Sequence, residues 1–334
     1  MATIRDVAAR AGVSLATASR ALTGGGPASA ATVEAVRRAA TELGYEVNKA
    51  ARSLRTQRTD TIGLLISDVR NPFFSDLAYA VEQRAAARGL AVITMNADER
   101  PERQVDALRA LTTQRVDGLI VVPQGGAPVE VPEELPLVLL DRRVENHHAP
   151  VVRSDDAMGS RQMIEHLLDL GHRDIALIAG PQSSSTGRAR RAASLAALAE
   201  RGAPVPEEWV VEGDFREGSG YRAARSLLAG DRRPTAIFAG DSLMAVGALT
   251  AAKEAGLRIG HDIAVVSFDD TLWFPLLDPP VTAVAQDVPA LGCAAVDGLL
   301  ARIAGEPVDD VVVPTRLVVR QSCRTTATTP TEAS

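Results

Sequence analysis

The chain predicts an all-α N-terminal helix-turn-helix domain followed by an α/β body of two doubly wound parallel-sheet lobes. Three observations predict it. Residues 3–22 form two short amphipathic stretches around an Ala11-Gly12-Val13 turn. From Thr61 onward, short apolar runs alternate with amphipathic stretches, the pattern of a parallel sheet covered on both faces. The number of those runs is near twice what one doubly wound sheet needs.

The first helix opens with Thr3, an N-cap hydroxyl followed three residues later by Asp6, a short-armed capping box. Ile4, Val7, Ala8 and Ala11 then share one face, and Gly12 sits where the chain leaves the helix at positive φ. Ser14 is placed to cap a second helix that buries Ala18 and Leu22. Its outward residues are Leu15, Ala16, Thr17, Ser19 and Arg20. Spacing alone also permits an ordinary αα-hairpin; a helix-turn-helix would set the second helix in a DNA major groove. A third helix, roughly Thr32–Leu43, carries Val33, Val36, Ala40 and Leu43 on one face and stops at Gly44. Asn48–Arg58 is polar and basic with one large apolar residue, Leu54, and reads as a connector that folds only when bound.

The body's expected strands are Ile62–Ile66, Ala91–Met95, Leu119–Val122, Leu137–Leu140, Ile175–Ala179, Ala236–Ala239, Ile263–Phe268 and Val281–Val284. Expected helices are Leu77–Arg88, Glu102–Gln114, Gly159–Leu170 and Met244–Ala255. The residues after Cys323 are polar and expected to be disordered.

Composition bounds the function. A hydrophobic fraction of 46% fills real cores, and only 3% aromatics makes the packing aliphatic. The net charge of -6 hides an asymmetry. Residues 1–60 hold 9 Lys and Arg against 5 Asp and Glu, whereas the remainder holds 27 against 37. A basic head on an acidic body suits phosphate contact by the head alone. Two cysteines, no apolar run of membrane-spanning length and no leader pattern lead us to expect a cytoplasmic protein. No nucleophile–base pairing or Gly-Xaa-Ser-Xaa-Gly elbow supports an enzyme, so no catalytic residue is assigned. Gly218-Ser219-Gly220 follows the wrong strand for a dinucleotide fingerprint, and His147-His148 lacks a third metal ligand. Neither a cofactor nor a metal is expected.

With these features in order, the chain resembles the lac repressor family of bacterial transcription regulators from Thr3 to about Cys323. The motifs that carry the resemblance are Thr3-Ile4-Arg5-Asp6-Val7-Ala8, Gly12-Val13-Ser14, Ala18-Ser19-Arg20 and the connector Asn48…Ala51-Arg52-Ser53-Leu54-Arg55. Arg115-Val116-Asp117-Gly118, Gly171-His172-Arg173-Asp174, Met244-Ala245-Val246-Gly247 and Ser267-Phe268-Asp269-Asp270 complete it. Two departures stand out: Val47 where the family usually has Pro, and Val33 where it usually has Arg.

The resemblance implies a helix-turn-helix domain over 1–46, a hinge over 47–60 and a periplasmic-binding-protein-like body over 61–324. The N-lobe would take about 61–158 and 286–315, the C-lobe about 159–285 and 316–324, and 325–334 would be a tail. It also implies a homodimer on pseudo-palindromic operator DNA. Leu15, Ala16 and Arg20 would meet base edges, with Ser14, Thr17 and Ser19 at phosphates. Thr3, Asn48 and Arg52 would add contacts, and Leu54 would wedge into the minor groove. Between the lobes it implies a small effector held at the strand ends. Asn71, Phe73 and Phe74 follow the first strand, in a tetrapeptide similar to that of ribose-type binding proteins. Asp141, Arg142, Asp241, Asp269 and Gln286 end or follow other strands, and Arg188 and Arg190 lie in the turn after Gly180-Pro181. Phe215 would supply a second aromatic wall. Phe73 and Phe74 also fit as core, and Asp141 and Asp269 as helix caps. A sugar is the favoured effector; a purine or nucleoside corepressor and, further off, a solute-binding protein are the alternatives.

Overall fold

The structure is a computed structural model and describes residues 2–23, 29–45, 58–145 and 147–324. The chain divides into two units, Met1–Thr59 and Asp60–Ser334.

The first unit holds α1 (Ile4–Arg10), α2 (Leu15–Thr23) and α3 (Ala30–Glu42). Thr3 and Asp6 close the capping box, each reaching the other's backbone N–H. Gly12 takes φ 67° at the turn. Ser14 Oγ accepts from Thr17 N at 3.1 Å and so caps α2. Val7, Ala8, Ala18, Ala21, Val36, Ala39 and Ala40 form a closed core of small side chains. Such a core lets three short helices approach closely where larger side chains would hold them apart.

The body has two six-stranded sheets. The N-lobe sheet contains β1 (Thr61–Ile66), β2 (Ala91–Asn96), β3 (Leu119–Val121), β4 (Leu137–Leu140), β5 (Val151–Ser154) and β11 (Val311–Val313). Their spatial order is 2-1-3-4-5-11, all parallel. The C-lobe sheet contains β6 (Ile175–Ala179), β7 (Val210–Glu212), β8 (Ala236–Ala239), β9 (Ala264–Phe268), β10 (Ala283–Gln286) and β12 (Thr315–Val318). Its order is 7-6-8-9-10-12, with only β12 antiparallel.

Strand alternation sends successive residues to opposite faces, so a strand covered twice reads as continuously apolar. In β4, Val138 and Leu140 face one N-lobe core, while Leu137 and Leu139 face the other. Helices α4 (Pro72–Ala87) and α10 (Val288–Ile303) cover the first with Leu77, Val81, Leu291 and Leu299; α5 (Pro101–Thr113) covers the second with Leu108 and Leu111. In the C-lobe, α6 (Asp156–Asp169) and α7 (Ser185–Glu200) cover one face. Helices α8 (Glu217–Ala229) and α9 (Ser242–Glu254) cover the other. The α8–α9 pair is close because Gly220 and Gly247 face backbone: a Cβ on either would lie 2.2 Å from the carbonyl oxygen of Met244 or Glu217. The small residues around Gly218-Ser219-Gly220 thus serve helix packing.

The chain crosses between lobes three times: from β5 into α6, from β10 into α10, and from β11 into β12. The first and third crossings are tied together, Asp155 N donating to Val313 O at 2.9 Å and Thr315 Oγ1 to Asp155 O at 3.3 Å.

Several boundaries differ from the sequence expectation. The last expected strand, Val281–Val284, runs instead over Ala283–Gln286, because Thr282 N is turned to Ser322 Oγ at 3.0 Å. Helices α4 and α9 begin earlier, at Pro72 and Ser242, because Asn71 and Asp241 cap them. Strands β5, β11 and β12 and helices α7, α8 and α10 stand outside the expected set. Arg188 and Arg190 accordingly lie in a helix rather than a turn.

Candidate functional site

Strand order 2-1-3 in one lobe and 7-6-8 in the other leaves a switch point in each sheet, where chains depart to opposite sides and a crevice opens at the carboxyl ends. Ten side chains from the two lobes meet there: Asn71, Phe73, Phe74, Asp141 and Arg142 from the N-lobe, Thr186, Arg190, Phe215, Asp241 and Asp269 from the C-lobe. They leave about 10 Å³ between them. Ligand pockets ordinarily measure about 300–1,000 Å³, so the compartment as it stands is closed.

The turns that follow the strands, and the opening turns of α4 and α7, place these side chains. Asn71 caps α4, its Oδ1 accepting from Phe73 N at 3.1 Å. Asp241 caps α9, accepting from Met244 N at 2.8 Å. These two caps then join across the cleft, Asn71 Nδ2 donating to Asp241 Oδ2 at 3.1 Å. Phe73 and Phe74 pack edge to face at 5.0 Å between centroids. Gly180 makes room for Phe215, since a Cβ there would lie 2.3 Å from the ring. Asp141, Phe215 and Asp269 all hold positive φ, at 66°, 59° and 67°. Each such residue stores on the order of 1–3 kcal/mol of backbone strain that the rest of the fold must offset.

Arg142 lies against both lobes. Its guanidinium is 5.4 Å from the Phe74 centroid and 5.3 Å from that of Phe215. It also donates a bidentate pair to Glu99 at 2.7 and 2.8 Å. Arg190 stacks on Phe268 at 3.6 Å, donates to Asp156 Oδ1 at 2.7 Å and to the Gly240 carbonyl at 2.8 Å, and lies 3.7 Å from Asp269 Oδ2. Burial pushes the carboxyls of Asp141 and Asp241 up to about 7; the nearby Asp269 reinforces this in both, while Arg142 opposes it at Asp141 and the Met244 backbone N–H opposes it at Asp241. Asp156 and Asp269 are raised as well, again through burial first.

Of the residues expected to touch an effector, nine line this compartment. Gln286 stands behind it, Nε2 donating to Asp269 Oδ1 at 2.5 Å. Arg188 does not reach it. It lines an outer cleft of about 470 Å³ with Gly125, Arg143, Glu145 and Ser183–Ser185, and pairs with Glu145 at 3.0 Å. The reason is helical periodicity: Thr186 and Arg190 are four apart on one face of α7, and Arg188 between them points elsewhere. Thr186, Asp156 and Glu99 were missed. Thr186 stood in a run of hydroxyls read as a turn, and Asp156 follows a short strand interrupted by Arg153. Asp141 and Asp269 cap no helix, and Phe73 and Phe74 are both core and lining.

On the head, Leu15, Ala16 and Arg20 are exposed along α2, with Leu15 at 45%. Arg20 Nε folds back onto the Ala16 carbonyl at 3.2 Å. The hydroxyls of Ser14 and Thr17 bond each other at 2.8 Å, and the Thr3 hydroxyl donates to Asp6. Ser19 is half-buried. Asn48, Arg52 and Leu54, with most of the expected hinge and all of the tail over 325–334, lie outside the described residues. Among the described residues, no group of side chains suits a metal ion and no helix is long and apolar enough to cross a membrane. His172 is occupied structurally, by Thr235 Oγ1 at 3.0 Å and the Arg324 carbonyl at 3.2 Å.

Residues 3–48 match the family described as bacterial regulatory proteins, lacI family, and residues 164–323 match the periplasmic binding protein-like domain. The HTH-type transcriptional repressor PurR of Erwinia tasmaniensis is 39% identical over 312 residues, covering 92% of each chain. A lac repressor dimer solved with operator and the anti-inducer ONPF superposes with a TM-score of 0.84 at 32% identity, over 97% of this chain and 99% of that one. The structure of a putative ribose operon repressor from Burkholderia thailandensis gives 0.73 at 33% identity, over 78% of this chain and 99% of that one. The chain belongs to the lacI family of bacterial regulatory proteins.

Proposed function

We propose that the protein is an operator-binding repressor of a carbohydrate-utilisation operon, released from DNA by a small sugar bound between its lobes. The observation that carries the sugar is the compartment itself. Aromatic faces from both lobes suit the apolar side of a sugar ring, while carboxylates, an amide and two planar guanidiniums suit vicinal hydroxyls. The ribose operon assignment of the Burkholderia relative favours a pentose as the first sugar to test. The PurR relatives support a second reading, a purine corepressor, for which Phe215 and Asp269 also serve.

At the DNA end, α2 enters the major groove of each half-site with Arg20 on guanine O6 and N7. Leu15 and Ala16 read thymine methyls, and Leu54 wedges into the minor groove at the centre. Two copies act as a homodimer, with α4 and α10 at the interface; Tyr79 on α4 is 63% exposed. Lobe closure shifts the paired N-lobes and so the hinge over 47–60.

Thermal-shift screening of pentoses, hexoses and purine bases tests the effector, followed by operator binding with and without the hit. A sugar should raise Tm and weaken operator binding; stabilisation by purines alone removes the sugar reading. Arg20→Ala should relax one guanine position by about 1–3 kcal/mol; unchanged specificity takes Arg20 out of base reading.

A further inference from the structure

The side chains between the lobes do not balance in charge. Five carboxylates, those of Glu99, Asp141, Asp156, Asp241 and Asp269, surround two guanidiniums, Arg142 and Arg190. Both guanidiniums already have anionic partners: Glu99 closes on Arg142 through two bonds, and Asp156 on Arg190 through one. Asp269 takes the Gln286 amide and stands near Arg190.

Among the described residues, Asp141 and Asp241 receive no hydrogen bond from either guanidinium. Asp141 is 4% exposed and lines the compartment, yet among the described residues its carboxylate accepts no hydrogen bond. It forms an ion pair with Arg142 Nε at 3.6 Å, and that nitrogen is itself a buried donor without a hydrogen-bond partner among the described residues. Asp241 is 2% exposed and, among the described residues, accepts from neutral donors, the Asn71 amide and the Met244 N–H. A buried carboxylate short of donors is costly, and a charged donor satisfies it best.

We propose that the compartment takes a cationic, hydroxylated ligand, an amino sugar in preference to its neutral parent, whose ammonium group pairs with the surplus carboxylates of Asp141 and Asp241. The proposal rests on the sugar-binding reading and narrows it. Sugar phosphates are excluded by the same surplus. Burial favours the protonated form of both carboxyls, and an ammonium ion beside them favours the ionised form, so its binding releases protons. The groups facing Asp141 are Arg142, Asp156, Arg190 and Asp269; those facing Asp241 are Asp269, Arg190 and Glu99, and Arg153 acts on Asp156.

Isothermal titration of the full chain at pH 6.5 tests this, in two buffers of different ionisation enthalpy. The probes are glucosamine, galactosamine and mannosamine, their parent hexoses, glucose 6-phosphate, and the bases guanine and hypoxanthine. At least one amino sugar should bind about tenfold tighter than its parent, with proton release visible as a buffer-dependent heat. That ratio should fall in Asp141→Asn and in Asp241→Asn, each first checked by its thermal melt; the wild-type proton release tests the proposal should either variant misfold. Parent hexoses binding as tightly as their amines, or failure of every amino sugar, overturns the proposal. Hexose binding without the amine preference leaves the sugar reading standing, and binding of purine bases alone removes both.

Discussion

Arg190 exchanges the hydration of a full positive charge for one carboxylate, one carbonyl and one aromatic face, all within 3.6 Å. Such a pair is favourable only while both members are present, because removing one strands the other in low dielectric. Arg190→Leu is therefore expected to destabilise the body by about 3–5 kcal/mol in denaturant titration, and adding Asp156→Leu should recover most of that. A single-variant cost under about 1 kcal/mol would mean that water already reaches Asp156. The residue scale is also where the sequence spoke most clearly. Asn71-Pro72-Phe73-Phe74, Asp141-Arg142 and Asp241 each follow an apolar run, and the ends of parallel strands converge on one crevice. What it hid was conformation: nothing in the identity of Asp141, Phe215 or Asp269 announces a positive φ, since each side chain is held there by neighbours distant in sequence.

Elements decide which of those residues can meet. Helix α7 begins at Ser185 rather than after a long turn, and that start brings Thr186 and Arg190 to the compartment while sending Arg188 outside it. The run Ser183-Ser184-Ser185-Thr186 reads as loop because hydroxyls compete for backbone bonds, and tertiary packing overrode that preference. Strands β11 and β12 were illegible for a related reason. Each is short and lies at a sheet edge, so one flank needs no apolar cover. Element contacts also hold the lobes together outside the compartment. Arg216 donates to the Asp98 carbonyl at 2.7 Å, and Arg143 N to Ser185 Oγ at 2.9 Å. Gly125 lies so near the Ser183 backbone that a Cβ would stand 2.7 Å from its carbonyl oxygen. Gly125→Ala should accordingly wedge the cleft, weakening effector binding at least tenfold while leaving operator binding by the free protein intact. Unchanged effector affinity in a titration would show that the lobes need not approach this closely.

For the whole molecule, the pH dependence of stability follows from groups of opposite sense. Asp141 and Asp241, at about 7 when folded against an ordinary 3.8, bind protons in the native state that the unfolded chain has lost. Their contribution falls as pH rises from about 4 and is gone above about 7 to 8. His166 and His172 are lowered from 6.5, by burial first, so they weaken the fold as pH drops below that value. Between pH 6.5 and 8 the carboxyls act alone of these four, and Tm should decline across that window. Asp241→Asn should flatten the decline; an unchanged slope would assign it to other groups. The three crossings between lobes also order events during synthesis. Neither lobe is a continuous stretch of chain, and α10, whose Leu291 and Leu299 cover one N-lobe core, is translated after the whole C-lobe helical set. Ile62, Leu64 and Ile66 thus emerge from the ribosome long before their lid does, leaving an apolar sheet face open on the nascent chain. The N-lobe completes its fold only once β11 has followed the C-lobe strands out of the ribosome, and a chain cut before Val311 leaves each sheet without one of its edge strands.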